Sequence, residues 1–304
     1  TYTATDGSGL TAQCSFTVTV NDNQDPVIAC PDPISVNNTP GACTASVDIP
    51  AVTFNDNCSG SAITWATTGA TELSGSGQMG TKTFNQGVTT VTYTVTDAAS
   101  RTAQCSFTVI VTDNQVPTVS CPENITVSND NNACNASVAV PSITFGDNCA
   151  GATLAWTMTG ATTGSGSGQL GTRTFNVGTT TINCTVSDGA TPANTASCSF
   201  TVTVNDTQKP VISGCLSNIV RTSSPGVCTS VVSWTEPTAT DNCTASGNLV
   251  WTKSHTPGSV FPSGVTTVTY TAADAAGNVS DVCSFTVTVT DNQKPVISNC
   301  PANI

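Results

Sequence analysis

Apolar and polar residues alternate along most of this chain, and the alternation predicts β-strands. The segment CSFTVIVTD, which starts at Cys105, places apolar side chains at every second position with threonine between them, the period of a half-buried strand. The segment VTYTVTD, which starts at Val91, shows the same period, and the short AASRTAQ joins the two as a hairpin. The same hairpin pattern recurs three more times, and no segment predicts a convincing helix.

A recurring phrase divides the chain into repeats. It occurs as DNQDPVIACP from Asp22, DNQVPTVSCP from Asp113, DTQKPVISGC from Asp206 and DNQKPVISNCP from Asp291, at separations of 91, 93 and 85 residues. A fixed period of this size is the signature of tandem modules. We therefore expect the last strands of a partial repeat at 1–21, complete repeats at 22–112, 113–205 and 206–290, and the first strand of a further repeat at 291–304. The chain is then a segment of something longer.

Each complete repeat predicts about seven short strands around a central tryptophan, Trp65, Trp156 or Trp251. Short strands with frequent turns and a central tryptophan favour a two-sheet sandwich, with the tryptophan in its core. The first two repeats carry the insert TELSGSGQMGTKTFNQG or TTGSGSGQLGTRTFNVG where the third has TPGSVFPSG. We expect the insert to form a longer loop or an extra hairpin on one sheet edge.

The third repeat resembles the hyalin repeat (HYR) in the segments WTEPTATDN, GSVFPSGVTTVTYTAADAAGN and CSFTVTVTD. The resemblance covers the whole chain as three complete and two partial copies, and its motifs are highly specific. It implies an immunoglobulin-like extracellular module of the kind found in adhesion proteins, matrix proteins and large bacterial surface proteins. The expected fold class is all-β, with tandem immunoglobulin-like sandwiches arranged end to end as a rod.

The amino-acid composition argues against some functional classes and favours others. The chain has only seven Lys and Arg residues and a net charge of −12, too few cations to neutralise nucleic acid phosphates. No apolar run approaches the length of a membrane span. Fifteen cysteines without zinc-type CxxC pairs favour disulfides and an oxidising, extracellular location, secreted or on the cell surface.

The cysteines repeat with the modules. Intervals of 13 and 15 residues recur three times, and a fourth cysteine follows in each repeat: Cys30, Cys43, Cys58 and Cys105; Cys121, Cys134, Cys149 and Cys198; Cys215, Cys228, Cys243 and Cys283. The HYR resemblance implies that the first and fourth cysteines of each repeat are bonded, closing a loop that stabilises the fold by about 4 kcal/mol. The remaining pairs would then be Cys43 with Cys58, Cys134 with Cys149, and Cys228 with Cys243.

Those remaining pairs require a reversal of the chain. Fifteen extended residues span roughly 45 Å, whereas bridged Cα atoms lie within about 7 Å. We expect the chain to turn back at Pro50, Pro141 and Pro237. Three cysteines are left over: Cys14 and Cys300, whose partners would lie outside this segment, and Cys184. Because Cys184 takes the inward position of Tyr93 and Tyr270, we expect it to be a buried unpaired thiol that packs as a small hydrophobe.

Acidic residues also recur at fixed places in the repeats. In an immunoglobulin-like sandwich the penultimate strand runs back towards the preceding module, so the carboxylates at its end should face the junction. The expected facing pairs are Asp22 with Asp97, Asp113 with Asp188, and Asp206 with Asp274. Paired carboxylates with neighbouring amide and carbonyl oxygens suit Ca²⁺, and we predict calcium at the junctions.

Four further acidic residues rank below these pairs as ligands: Asp56, Asp147, Asp241 and Asp291. A Cys43–Cys58 bridge would draw Asp56 towards the opposite end of the repeat. The alternative interpretation is that aspartate and asparagine only cap turns here and bind no metal.

No segment predicts a catalytic site, and we expect no enzymatic activity. The single histidine, His255, lies in a loop of the third repeat alone and is expected to be exposed. Acceptor triplets for N-linked glycans begin at eight asparagines: Asn37, Asn57, Asn124, Asn135, Asn183, Asn205, Asn242 and Asn278. They matter only in a host that has the glycosylating enzymes.

The leading hypothesis is a structural protein, an extracellular stalk, adhesin or filament built from disulfide-stabilised modules that contact neighbouring repeats of the same protein and assemble into a fibre or surface array. One alternative is an adhesion module whose loops bind a glycan or a protein. Another is a spacer in a larger secreted enzyme. The full reading frame would separate them, because it would reveal a catalytic domain or a sorting signal.

Overall fold

The computed structural model describes residues 1–298, and regular structure within that range is almost entirely β-strand. One short 3₁₀ turn, Ser246–Asn248, is the only helical element there. No helix of the described residues is long and apolar enough to cross a membrane. Part of the predicted strand in 291–304, including Cys300, lies outside the described residues.

The described chain forms two compact units. The first contains Thr1–Thr118, Phe145–Thr153 and Val186–Ala196, and the second contains Val119–Thr144, Leu154–Thr185 and the chain from Ser197. The first unit therefore holds the opening hairpin, the first repeat and two loops of the second repeat. The second unit holds most of the second repeat and the third.

The opening hairpin and the first repeat contain eleven strands: β1 (Tyr2–Thr5), β2 (Thr11–Cys14), β3 (Val27–Ala29), β4 (Ile34–Asn37), β5 (Thr44–Ile49), β6 (Thr53–Asn55), β7 (Ala62–Gly69), β8 (Ser74–Ser76), β9 (Gly80–Asn85), β10 (Gly87–Thr96) and β11 (Thr102–Thr112). The second repeat contains nine: β12 (Thr118–Ser120), β13 (Ile125–Ser128), β14 (Asn135–Ala139), β15 (Thr144–Gly146), β16 (Thr153–Gly160), β17 (Gly164–Ser167), β18 (Thr172–Asn176), β19 (Gly178–Ser187) and β20 (Thr195–Asn205). The third contains eight: β21 (Val211–Ser213), β22 (Ile219–Thr222), β23 (Thr229–Val232), β24 (Thr238–Thr240), β25 (Val250–Lys253), β26 (Ser259–Pro262), β27 (Gly264–Ala273) and β28 (Cys283–Thr290).

The first repeat is a two-layer sandwich. Its larger sheet has the order β4-β11-β10-β7-β8, with β4 parallel to β11 and the other neighbours antiparallel. Two antiparallel pairs, β5 with β9 and β3 with β6, complete the repeat. The alternation along β10 explains the core, because Val91, Tyr93 and Val95 are fully buried while the threonines between them are half-buried.

The predicted insert forms a hairpin on a sheet edge. Strand β8 pairs with β7 at the edge of the larger sheet, whereas the corresponding sheet of the third repeat has the order β22-β28-β27-β25 and ends without such a strand. The insert also supplies a core contact, because the N–H of Met79 donates a hydrogen bond to the hydroxyl of Tyr93 at 3.1 Å. In the third repeat, Trp234 Nε1 donates to the hydroxyl of Tyr270 at 2.8 Å instead.

The second unit shows the same pairing rules in the second and third repeats. In the second repeat, β13 is parallel to β20, and antiparallel pairs form between β14 and β18 and between β16 and β17. In the third, β22 is parallel to β28, and β23 pairs with β26. The recurring pairings show that one strand plan serves all three repeats.

The central tryptophans occupy the core as expected. Trp65 and Trp156 are buried and Trp251 is half-buried against the third repeat's core. Each carries a cation over its ring: Lys82 over Trp65 at 5.7 Å, Arg173 over Trp156 at 4.4 Å and Lys253 over Trp251 at 6.0 Å. Three of the seven cationic side chains therefore cover core indoles.

Candidate junction sites

Three aspartates from separate segments meet at the start of the first repeat. Asp22 lies in the linker before β3, Asp56 follows β6, and Asp97 follows β10. One carboxylate oxygen of each lies within 4.8 Å of the others. We call these residues the first cluster. The predicted approach of Asp97 to Asp22 is present, and Asp56, which was ranked lower, joins them.

Two further clusters repeat this arrangement. The second cluster contains Asp113, Asp147 and the sulfur of Cys149, and the third contains Asp206, Asp241 and Asp274, in both cases with ligand-type atoms within 4.8 Å of one another. The second cluster lies entirely in the first compact unit and the third in the second. Two places therefore converge in every cluster, the junction aspartate and the aspartate before the third cysteine. The aspartate that ends the penultimate strand joins them in the first and third clusters, whereas Asp188 is not among the three groups of the second cluster.

A side-chain amide connects Asp188 to the junction aspartate Asp113. Asn194 Nδ2 donates to Asp188 Oδ2 at 2.7 Å and to the carbonyl of Asp113 at 3.2 Å, so it bridges the two aspartates. Asn278 does the same between Asp274 and the carbonyl of Asp206, at 2.8 and 3.1 Å. The fourth predicted junction aspartate, Asp291, accepts a hydrogen bond from Ser223 at 3.3 Å and belongs to none of the clusters found among residues 1–298.

Several carboxylate oxygens in the clusters are buried and unpaired. Asp97 is 6% exposed and Asp113 is 2% exposed, yet Oδ2 of each has no hydrogen-bond donor among residues 1–298. Oδ2 of Asp22 and Oδ1 of Asp56 and of Asp241 are likewise enclosed without a donor. Because burying an unpaired anionic oxygen is costly, each cluster contains an acceptor that lacks a positive partner.

No lysine or arginine of the described residues forms an ion pair with these oxygens. The three ion pairs found there join Arg101 to Asp25, Lys209 to Asp281 and Lys253 to Glu236, none of which belongs to a cluster. Hydrogen bonds favour the ionised form of two junction aspartates, Asp22 and Asp188. The N–H of Gln24 donates to Asp22 and lowers its pKa, with smaller contributions from Cys58 and Asn57. Burial opposes ionisation of Asp188, but hydrogen bonds from Asn194 and Ala190 outweigh it and lower its pKa.

The disulfides implied by the resemblance are present. Cys30 bonds to Cys105, Cys121 to Cys198, and Cys215 to Cys283. Each joins a segment near the start of a repeat to its last strand. The exposed Cys14 is free.

The remaining predicted pairs are wrong. Cys43 bonds to Cys149 and Cys134 bonds to Cys243, so each bridge joins one repeat to the next. Cys58 and Cys228 are free and exposed, and the pairs Cys43–Cys58, Cys134–Cys149 and Cys228–Cys243 do not form.

The direction of two strands explains the correction. Cys43 precedes β5 at the end of the repeat where Asn38 contacts Asp113, and Cys58 follows β6 at the end where Asp22 lies. At Pro50 the chain passes from the β5–β9 pair to the β3–β6 pair without turning back. The two cysteines therefore lie at opposite ends of the sandwich, and Cys58 brings Asp56 to the first cluster.

A glutamine two residues after three of the junction aspartates, Asp113, Asp206 and Asp291, connects the linker to the loop before the second cysteine. Gln115 accepts from the N–H of Gly41 at 2.9 Å and donates to the carbonyl of Thr39 at 3.2 Å. Gln208 makes the same contacts with Asn132 and Asp130, and Gln293 makes them with Gly226 and Ser224. An asparagine adds to this contact in two repeats, since Asn38 donates to Asp113 at 2.8 Å and Asn129 to Asp206 at 3.2 Å.

Cys184 is buried and unpaired, as predicted. Burial raises the pKa of its thiol, which opposes thiolate formation. Its sulfur lies within 4.8 Å of both sulfurs of the Cys121–Cys198 bridge. His255, in contrast, is half-buried rather than exposed, because its ring packs against Phe261 with centroids 5.1 Å apart.

The eight glycan-acceptor asparagines differ in accessibility. Five are exposed: Asn37, Asn57, Asn124, Asn183 and Asn205. Asn135, Asn242 and Asn278 are half-buried, and the amides of Asn242 and Asn278 donate to main-chain carbonyls. Glycosylation of any of them remains a prediction.

Comparison with known proteins identifies the repeats. The HYR domain family matches residues 21–111, 112–204 and 205–289. Hyalin from Strongylocentrotus purpuratus is 34% identical over all of this chain, which covers 24% of that protein, and hyalin from Lytechinus variegatus is 32% identical over all of this chain, which covers 54% of that protein. Among solved structures, the immunoglobulin domains 1–5 of Sidekick-1 match 90% of the chain and 60% of that structure with a TM-score of 0.38 and 11% identity. The chain spans about a quarter to about half the length of these hyalins, and the family match over residues 21–111, 112–204 and 205–289 establishes that it belongs to the HYR domain family.

Proposed function

We propose that this chain is a non-enzymatic structural segment of a long extracellular repeat protein, and that Ca²⁺ bound at the three clusters stiffens its junctions. The observation that carries the calcium proposal is the presence of buried, unpaired carboxylate oxygens in every cluster. Five disulfides among the described residues suit an oxidising compartment outside the cell.

The chemistry of the clusters favours a hard divalent cation. Each cluster offers two or three carboxylates, and the neighbouring turns add carbonyl and amide oxygens, including the buried and unpaired Oδ1 of Asn38 beside Asp113. Ca²⁺ takes six to eight oxygen ligands in flexible geometry, whereas Mg²⁺ requires a near-ideal octahedron. A set of ligands drawn from irregular loops therefore suits Ca²⁺ better.

Calcium at these positions would act on the linkers. The first cluster joins the linker residue Asp22 to two loops at the start of the first repeat, those of Asp56 and Asp97. An ion shared among them would hold the linker against the sandwich. Repetition at each junction would turn tandem modules into a stiff array that assembles with neighbouring repeats into a fibre or surface layer.

Calcium titration of the full chain tests the proposal. We expect mM Ca²⁺ to raise the thermal unfolding midpoint. One site at a hundredfold excess of Ca²⁺ over Kd increases the free energy of unfolding by about 2.7 kcal/mol. Mg²⁺ should have a smaller effect. Isothermal titration calorimetry gives the stoichiometry, with three ions per chain expected. No heat and no change in midpoint at mM Ca²⁺ would refute the calcium proposal.

A variant pair sharpens the experiment. Asp97→Asn removes one charge from the first cluster while keeping an oxygen that can accept from the N–H of Arg101. We expect this variant to be more stable than the natural chain in EDTA, because carboxylate repulsion falls, and less stable in Ca²⁺. Asp48→Asn is the matched control, since Asp48 is exposed, lies outside the three clusters and accepts a hydrogen bond from Thr81; it should leave the calcium response unchanged.

A further inference from the structure

The free Cys58 and Cys228 occupy the same places in their repeats as cysteines that are bonded elsewhere. The second cysteine of one repeat bonds to the third cysteine of the next in both bridges of this kind, Cys43–Cys149 and Cys134–Cys243, and both have a Cα–Cα distance of 4.8 Å. Cys228 is the second cysteine of the third repeat, and Cys58 is the third cysteine of the first repeat. Each is therefore one half of a bridge whose register is already seen twice.

The loop that carries Cys228 has the same hydrogen bonds as the loops that carry its bonded counterparts. The N–H of Ser224 donates to the carbonyl of Thr229 at 2.8 Å, and that of Val227 donates to the carbonyl of Ser224 at 3.2 Å. The corresponding distances are 2.8 and 2.9 Å in the Cys43 loop, and 2.8 and 3.0 Å in the Cys134 loop. The Cys228 loop thus has the same conformation as the loops of the disulfide-bonded Cys43 and Cys134, although Cys228 itself forms no disulfide within residues 1–298.

The turn that carries Cys58 is also in the bonded conformation. The N–H of Cys58 donates to Asp56 Oδ2 at 3.1 Å, as those of Cys149 and Cys243 donate to Asp147 and Asp241 at 3.0 and 2.9 Å. The third cysteine is therefore presented by the same aspartate turn in every repeat.

An asparagine beside the third cysteine supplies a second contact at each formed bridge. Asn148 Nδ2 donates to the carbonyl of Ala42 at 3.2 Å, and Asn242 Nδ2 donates to the carbonyl of Ala133 at 2.9 Å. The equivalent Asn57 Nδ2 lies 3.5 Å from the sulfur of Cys58, as the amides of Asn148 and Asn242 lie 3.4 and 3.2 Å from the sulfur of the next cysteine, and within residues 1–298 it makes no such carbonyl contact. The matching carbonyl on the other half is that of Val227, a residue that is 51% exposed.

We propose that Cys58 and Cys228 are docking sites for further HYR repeats, with Cys228 bonding to the third cysteine of a following repeat and Cys58 to the second cysteine of a preceding one. The bridge forms from two thiols, which lose two protons and two electrons to a disulfide oxidant such as oxidised glutathione. The asparagine beside the third cysteine then donates to the carbonyl that precedes the second cysteine. Every junction of the array would carry one covalent clamp.

The partner repeat could belong to the same polypeptide or to a second copy, and two experiments separate these sources. In the first, a second copy of residues 126–205 is appended to Ile304, which completes a fourth repeat on the phrase that begins at Asp291. After folding in a glutathione redox buffer, peptide mapping should find Cys228 bonded to the appended copy of Cys149. The bond from Cys300 to the appended copy of Cys198 reports that the fourth repeat has folded; if that bond is missing, a copy of residues 220–290 replaces the extension.

The second experiment uses the full chain without an extension, with Cys14 and Cys300 changed to serine. If copies supply the partner, a non-reducing gel shows a ladder of oligomers linked Cys228 to Cys58. Cys58→Ser and Cys228→Ser variants alone should then remain monomeric, and their mixture should stop at the dimer. A bond in either experiment supports the proposal and identifies the source of the partner. Folded extended chains with Cys228 unbonded, together with monomeric full chains, would overturn it.

The proposal deepens the structural role proposed above and rests on it, but not on calcium. Bond mapping can be carried out in EDTA, and calcium titration can be carried out on the Cys58→Ser/Cys228→Ser variant. Each proposal can therefore fail while the other stands.

Discussion

Single residues make the repeats differ while the fold stays the same. The inward position held by Tyr93 and Tyr270 is held by Cys184 in the second repeat, and the partner of the tyrosine hydroxyl changes from the N–H of Met79 to the indole of Trp234. The core accepts these changes because the side chain at this position points into the sandwich in all three repeats. Sequence periodicity identifies the inward position, but the hydroxyl partner comes from residues remote along the chain.

The two buried tyrosines predict a loss of stability at alkaline pH. Burial raises the pKa of Tyr93 and of Tyr270, so the unfolded chain releases these protons at lower pH than the folded chain. Their contribution is fully present below the ordinary tyrosine pKa of about 10 and is lost as pH rises above it. We expect the urea midpoint to fall between pH 9 and pH 11.

A Tyr93→Phe/Tyr270→Phe variant provides the comparison, with free thiols blocked in both proteins to prevent disulfide exchange. The variant should begin from a lower midpoint, because the donors at Met79 and Trp234 lose their acceptor, yet fall less between the two pH values. Equal losses in the two proteins would show that other groups cause the alkaline sensitivity.

Among the structural elements, the added strand β8 packs on the central tryptophan through a glycine. A Cβ at Gly75 would lie 2.4 Å from Cζ2 of Trp65, and one at Gly166 would lie 2.4 Å from Cζ2 of Trp156. The serine and glycine pattern of the insert predicts a turn or hairpin, but the absence of a side chain facing the indole is a tertiary requirement. The inserted strand can therefore pack on the tryptophan ring only if the residue that faces the ring is glycine.

Gly75→Ala should displace β8 from Trp65. Overpacking of this kind typically costs about 1–3 kcal/mol, and we expect the first repeat to lose that much stability, measured by hydrogen exchange of its peptides across a urea series. Ser76→Ala, an exposed neighbour on the same strand, is the matched control and should have little effect. A stable Gly75→Ala variant with unchanged tryptophan circular dichroism would contradict the packing argument.

At the scale of the whole molecule, bridges between repeats and glutamine contacts act on the same linkers. The Cys43–Cys149 bridge and the contacts of Gln115 with Thr39 and Gly41 both connect the linker region to the end of the first repeat. A module with its own core and its own bridge does not need the second bridge to fold. Its effect should therefore appear as order in the linker.

Cys43→Ser/Cys149→Ser should leave the first sandwich folded, because its core and the Cys30–Cys105 bridge remain. We expect faster hydrogen exchange in residues 113–119, measured by mass spectrometry. Cys14→Ser/Cys58→Ser changes the same number of cysteines without breaking a bond and serves as the control. Unchanged exchange in residues 113–119 would mean that the glutamine and asparagine contacts alone order the linker.

The strands, the repeats, the core position of the central tryptophans and the buried Cys184 could all be predicted from the amino-acid sequence. The bonds from first to fourth cysteine could be predicted too, through the resemblance to HYR. These features follow from local periodicity or from a motif shared along the chain. Three other features required the three-dimensional fold: the bond from Cys43 to Cys149, the approach of Asp56 to Asp22 and Asp97, and the hydrogen bond from Asn194 to Asp188. The physical reason is the direction of the strands. Whether β6 runs on in the direction of β5 or turns back depends on the strand with which each one pairs. Packing across the sandwich sets that pairing, and the residues near Pro50 do not.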